Sequence, residues 1–178
     1  LPAMNTRLSF LIDLAIFQAA WFACVLASIS PNPYVLPLAG SVLVLGRVIQ
    51  KKRIRKALPL AFTCLAFGTL GDALLVNLGF LAFAPYPSLL GSPLWMIALW
   101  LNFGFMLRPL FEWFLDTYTR TFSGFSIGGV IAYYSGEKIG VLSLEKGWES
   151  AIAIGAEWAI AGIALRHLSL RHSDGKET

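Results

Sequence analysis

Residues 8–29 form an apolar run with a single charged side chain, Asp13, and five more apolar runs follow along the chain. A bilayer core of about 30 Å takes roughly 20 apolar residues per helical crossing. An open strand cannot satisfy its backbone in lipid, so the runs are read as helices. The predicted crossings are about 8–29, 34–49, 57–83, 89–107, 121–136 and 148–165. They use most of the 178 residues, so residues 1–178 read as a single all-α transmembrane domain, an integral membrane bundle of about six helices. Composition agrees, since charged residues make up 13% of the chain against roughly 25% in soluble domains.

The breaks between runs carry their own signals. Pro31-Asn32-Pro33 forces a turn after the first, and the uncharged stretch 84–88 closes the third. The third run is the longest and needs tilt or a kink to fit. Over 110–120, Phe111, Trp113, Phe114 and Tyr118 alternate with Glu112, Asp116 and Arg120, which predicts a short amphipathic helix at the interface. The fifth run is glycine-rich and marginal in length, and 139–144 either extends it or dips into the membrane. Residues 8–30 exceed the about 7–15 apolar residues of a signal peptide and read as a first crossing.

The net charge of +4 does not describe a nucleic-acid surface. Of fourteen Lys and Arg, five are Lys51, Lys52, Arg53, Arg55 and Lys56, between two apolar runs, where a juxtamembrane cluster is expected. With the N-terminus inside, only Lys138 and Lys146 of the fourteen fall outside, and Arg171 and Lys176 join the cytoplasmic tail. Both termini are therefore expected in the cytoplasm, which requires an even number of crossings. Cys24 and Cys64 occupy different runs at different depths, beyond the about 7 Å Cα separation of a disulfide, and read as free buried thiols.

A carboxylate within a membrane span is costly, by roughly 2.5–3.5 kcal/mol on insertion scales, and invites a functional explanation. Asp72 lies near the middle of the third predicted crossing, within Gly68-Thr69-Leu70-Gly71-Asp72, where two glycines admit a neighbouring helix or a ligand. Glu157 lies near the middle of the sixth. For both, a structural hydrogen bond between helices stays open beside a functional role. Asp13, close to Arg7, is expected to pair with a basic side chain at the cytoplasmic interface. Gln18, Asn77 and Asn102 complete the candidate intramembrane polar site. Gln18 precedes Asp72 by 54 residues and Asn102 precedes Glu157 by 55, a spacing that inverted repeats would give but that reads as coincidence without a residue-level repeat.

Small residues four apart, Gly124/Gly128, Gly136/Gly140 and Ala151/Gly155/Ala159, favour close helix packing. Trp95, Trp100, Trp113 and Trp148 are expected at interfaces or in packing. His167 and His172 both fall in the predicted tail, so histidine builds no intramembrane haem or zinc site, and no metal or cofactor is expected. The chain has neither a phosphate-binding Gly-rich loop with its lysine nor a nucleophile elbow.

Gly71-Asp72-Ala73-Leu74-Leu75, Pro93-Leu94-Trp95 with Leu99-Trp100, Gly128-Gly129 with Tyr133, and the region from Phe17-Gln18 to Trp21-Phe22 carry a likeness over nearly the whole chain. In these the chain resembles an uncharacterised bacterial family of small multi-pass inner-membrane proteins known only as a domain of unknown function. The resemblance implies a Gram-negative inner-membrane location, genes near lipid-modifying enzymes, and no assigned catalytic residues. Three functions remain open. A small carrier or binding protein for a solute, proton or lipid is preferred; an accessory subunit packing against other membrane subunits or copies of itself, and an intramembrane lipid-modifying enzyme, are the alternatives. The first needs a polar path, the third a pocket open to lipid, and the accessory subunit a broad contact face.

Overall fold

A computed structural model describes residues 6–174, with side chains through residue 170. Lys176 and the side chains of Arg171 and His172 lie outside the described residues. Six helices form in order: α1 (Thr6–Leu26), α2 (Val35–Gln50), α3 (Ile54–Asn77), α4 (Leu94–Phe111), α5 (Tyr118–Ile139) and α6 (Trp148–Asp174). Four of the helical segments are long and apolar enough to cross a membrane: Thr6–Ile29, Ile54–Asn77, Leu94–Leu115 and Trp148–Leu170. At 16 residues α2 is shorter, about 24 Å, and α5 is long but interrupted by Gly and Ser.

The third run ends earlier than predicted. Its helix stops at Asn77, Gly79 turns the chain at φ 71°, and Leu81–Phe83 becomes a strand, β1. Apolarity alone cannot separate strand from helix over so short a stretch. β1 pairs antiparallel with β4 (Leu142–Leu144) in the register Leu81↔Leu144, so the chain beyond Ile139 forms a strand and does not prolong α5. Ser88–Leu89 (β2) and Ser92–Pro93 (β3) form a tight hairpin through Leu90 and Gly91, both at positive φ, so α4 starts five residues later than predicted. Gly140, at φ 85°, ends α5 by letting Val141 N–H bond back to Gly136 O; it caps the helix and does not pack a neighbour. The predicted interfacial helix shrinks to a 3-10 turn, Glu112–Leu115, with Trp113 and Tyr118 exposed and Arg120 stacked on Trp113. α6 outruns its predicted end, which places His167 in the helix against Tyr118.

α4 lies at the centre of the bundle, packed on α1, α2 and above all α3, while α6 joins α3 to α5. Helices α3 and α4 approach closely at Gly104, where a Cβ would stand 2.5 Å from Ala61 Cα. Both thiols are free and fully buried, Cys24 on α1 and Cys64 on α3. The outward faces carry Leu38, Phe62, Leu70, Ile127, Ile152 and Ile160, each more than half exposed, an apolar girdle that suits lipid and not water.

The two ends of the bundle differ. At one end lie the strands, with Ser150 Oγ donating to Phe80 O at 2.5 Å and Lys146 Nζ to Leu78 O at 3.0 Å. At the other lie the basic side chains. Arg47 Nε meets Asp13 Oδ1 at 2.6 Å, both side chains buried, which is the pairing expected for Asp13. Arg108 reaches Ser169 O at 3.2 Å, and Arg166 reaches Leu115 O.

Candidate functional site

Because α3 ends at Asn77, Asp72 sits five residues from that end, about 7 Å by helical rise, and not near mid-span. Its side chain is fully buried. Three elements converge on it. Ser92 Oγ from β3 donates to Oδ2 at 3.1 Å, Trp100 Nε1 from α4 donates to Oδ2 at 3.0 Å, and Tyr133 Oη from α5 donates to Oδ1. An ionised carboxylate out of water needs such donors, since they replace the hydration it has lost.

The glycines beside Asp72 explain how these groups come close. A Cβ at Gly68 would overlap the Trp100 indole, and one at Gly71 would overlap the Glu157 carboxylate. They therefore make room for two side chains, not for a helix backbone. Glu157, from α6, thus lies over α3 beside Asp72, and neither of its buried oxygens has a hydrogen-bond partner. The two acids predicted separately belong to one cluster.

The amides do not join it. Asn77 is exposed and donates to Ala73 O within its own helix at 2.7 Å. Asn102 is fully buried but faces α1, with Nδ2 3.9 Å from Cys24 Sγ and Oδ1 unpartnered. Gln18 is exposed on the rim of a separate feature, the cleft described next. Nothing in the spacing of Ser92 or Tyr133 marks either as a partner of Asp72. The signal for Tyr133 was the small-and-aromatic stripe Thr121, Phe125, Gly129, Tyr133, Gly136, the buried face of α5. Of the tryptophans, Trp95 and Trp100 are buried and Trp113 and Trp148 exposed, so only the latter pair fits interface anchoring.

Between α1 and α5, which do not pack closely on each other, lies a cavity of ≈ 410 Å³ with α4 as its floor. Phe17 and Trp21 from α1, Trp100 and Phe103 from α4, Phe125 from α5 and Trp158 from α6 form its aromatic lining. Trp158 lies 4.6 Å from Trp100 and 5.5 Å from Phe103, centroid to centroid. Apart from indoles, the polar side chains on its wall are Gln18, Tyr133 and Ser135. Gly128 opens onto it, with nothing within 4 Å of its missing Cβ, so this glycine widens the cleft and packs against no helix. Neither acid lines it: Asp72 and Glu157 lie behind the wall made by Trp100, Tyr133 and Trp158, and the Tyr133 hydroxyl is the link between carboxylate and cleft. Among the described residues no three His, Cys, Asp or Glu side chains are grouped to hold a metal.

No curated protein and no solved structure matches the chain. The model of a family described as protein of unknown function (DUF2878) matches residues 10–163, nearly the whole span of the bundle, and the chain belongs to that family.

Proposed function

We propose that this protein is a bacterial inner-membrane protein with six crossings and both termini cytoplasmic, and that it binds the apolar chain of a lipid in the cleft between α1 and α5. The single observation that carries this reading is the cleft itself: ≈ 410 Å³, aromatic, and bordered by two helices that leave it open between them. At about 30 Å³ per methylene-sized unit, close to the share of a water molecule in the liquid, it accommodates roughly a dozen chain carbons. Ligand sites of this size are mostly apolar with a few polar groups that fix orientation. Tyr133 and Gln18 are those groups here.

The same lining weighs against a small ion or proton as cargo, because the cleft offers no continuous row of polar side chains. The placement of both acids behind the wall favours binding over acid–base catalysis on the bound chain. An accessory subunit would not need an internal cleft of this size.

Gly128→Leu tests the reading. A Cβ there meets no protein atom within 4 Å, so the new side chain starts into the open cleft, and removing a mid-helix glycine favours the helix. Wild-type protein purified in mild detergent should retain a lipid identifiable by native mass spectrometry. The variant should keep or raise its melting temperature and lose that lipid at least tenfold. Equal retention by wild type and variant removes the cleft as the binding site.

A further inference from the structure

The basic end holds a second cavity that the cleft reading does not use. It measures ≈ 220 Å³ and lies between the C-terminal turns of α2 and α4 and the first turns of α3. Five cations border it, Arg47, Lys51, Arg53, Lys56 and Arg108, against two carboxylates, Asp13 and Glu112. Asp13 is already matched by Arg47 Nε at 2.6 Å, and Glu112 stands 3.9 Å from Arg108. Three cations are therefore in excess around a confined space.

Two buried guanidinium donors there lack a partner. Arg47 is 7% exposed, its Nε bound to Asp13 and its Nη1 to Gln50 Oε1 at 2.7 Å, but its buried Nη2 meets no acceptor. Arg108 Nε is buried and unpartnered in the same way. An unsatisfied buried donor costs about 1–3 kcal/mol, and more when charged, so an anion here would relieve both. No side chain caps the N-terminus of α3, whose free N–H groups face the same end. Lys52, in the left-handed region at φ 54°, makes the α2–α3 turn tight and brings Lys51, Arg53 and Lys56 round the cavity. The floor is apolar, with Ala57, Leu60, Phe105 and Met106.

We propose that this cavity binds the phosphate of an anionic phospholipid headgroup, with Arg47 and Arg108 as its buried donors and Arg53 and Lys56 at its rim. Guanidinium forks suit phosphate oxygens, and the apolar floor suits the glycerol and first methylenes that accompany a headgroup at the membrane surface. The site is independent of the cleft, and Gly128→Leu leaves it intact.

The experiment titrates detergent-solubilised full-length protein with phosphatidylglycerol, with phosphatidylcholine of the same chains, and with inorganic phosphate. Melting temperature and retained lipid are read together. Phosphatidylglycerol should stabilise and remain bound, phosphatidylcholine should do neither, and phosphate alone should need at least a hundredfold higher concentration. Arg53→Gln with Lys56→Gln should weaken phosphatidylglycerol at least tenfold. Lys52→Gln with Arg55→Gln removes the same charge from side chains outside the cavity and should change binding less than threefold. Arg47→Lys keeps a cation beside Asp13, deletes Nη2, and should also weaken binding. Equal loss in the two double variants, or equal binding of both lipids, overturns the site. Phosphate binding as tightly as the lipid overturns the membrane as its source.

Discussion

Replacing Asp72 separates its hydrogen-bonding role from its charge. In Asp72→Ala, Ser92, Trp100 and Tyr133 all lose their acceptor in a region with no water-exposed surface. At about 1 kcal/mol or more per stranded donor, plus the void, the loss is at least about 3 kcal/mol. Asparagine behaves differently. Its oxygen can still accept from Trp100 Nε1, which can only donate, and from Ser92, while its amide faces Tyr133, whose hydroxyl can turn and accept. Each side chain keeps a partner and only the Tyr133 proton loses its acceptor, so the expected loss is about 1 kcal/mol. Unfolding in detergent, followed by far-UV circular dichroism, should rank wild type, Asp72→Asn and Asp72→Ala in that order, with about 2 kcal/mol between the variants. An alanine variant as stable as wild type refutes the network's structural role. An asparagine variant as unstable as alanine shows that the negative charge itself holds the site together. Asparagine that is stable, yet fails to complement a deletion strain, assigns the carboxylate a chemical role.

Gly104→Ala should lower stability by about 1–3 kcal/mol, because the obstacle is the Ala61 backbone and not a movable side chain; a melting temperature equal to wild type contradicts the close α3–α4 approach. Asp13→Ala, which strands the buried Arg47, should destabilise by about 3–5 kcal/mol, while Asp13→Leu with Arg47→Met should recover most of it; additive losses rule out a coupled pair. Single cysteines at Ser88 and Ser143 should react with an impermeant thiol reagent in intact cells, and one at Arg55 should not, with Cys24 and Cys64 too buried to interfere; the opposite labelling reverses the orientation.

The charge pattern carried much of what the sequence could reveal. The scarcity of charge marked the apolar helices, and clustering of Lys and Arg marked one end, where Arg47, Arg108 and Arg166 do meet neighbouring elements. Asp72 and Glu157 stood out because an acid in an apolar run is conspicuous. Their adjacency was hidden: a lipid-facing helix is apolar on every side, so periodicity does not tell which face turns inward. Gly68 and Gly71 announced a close approach without naming what approaches. The early end of α3 was hidden for a similar reason, since Leu81, Ala82 and Phe83 suit a strand as well as a helix. A helix run on to Phe83 would put Asp72 at mid-span, whereas the real end puts it near the last turn. Asn77 and Asn102 stand out by residue type alone, and type does not give direction.

The pairing of β1 with β4 has a consequence for the order of assembly. Its two strands are separated in sequence by α4 and α5, so the ladder cannot form until all five helices through α5 have been made. α5 and α6 pack mainly on each other, and they hold the rest through α6 against α3, through the turn Glu112–Leu115 and through this short ladder. Until α5 docks, Asp72 can have Ser92 and Trp100 as donors but not Tyr133. Arrival of the last hairpin supplies that hydroxyl, covers Gly71 with Glu157 and closes the far wall of the cleft in one docking event. Without that step Asp72 lacks its third donor and Gly71 stays uncovered, so the short ladder works as a latch that joins the last two helices to the rest.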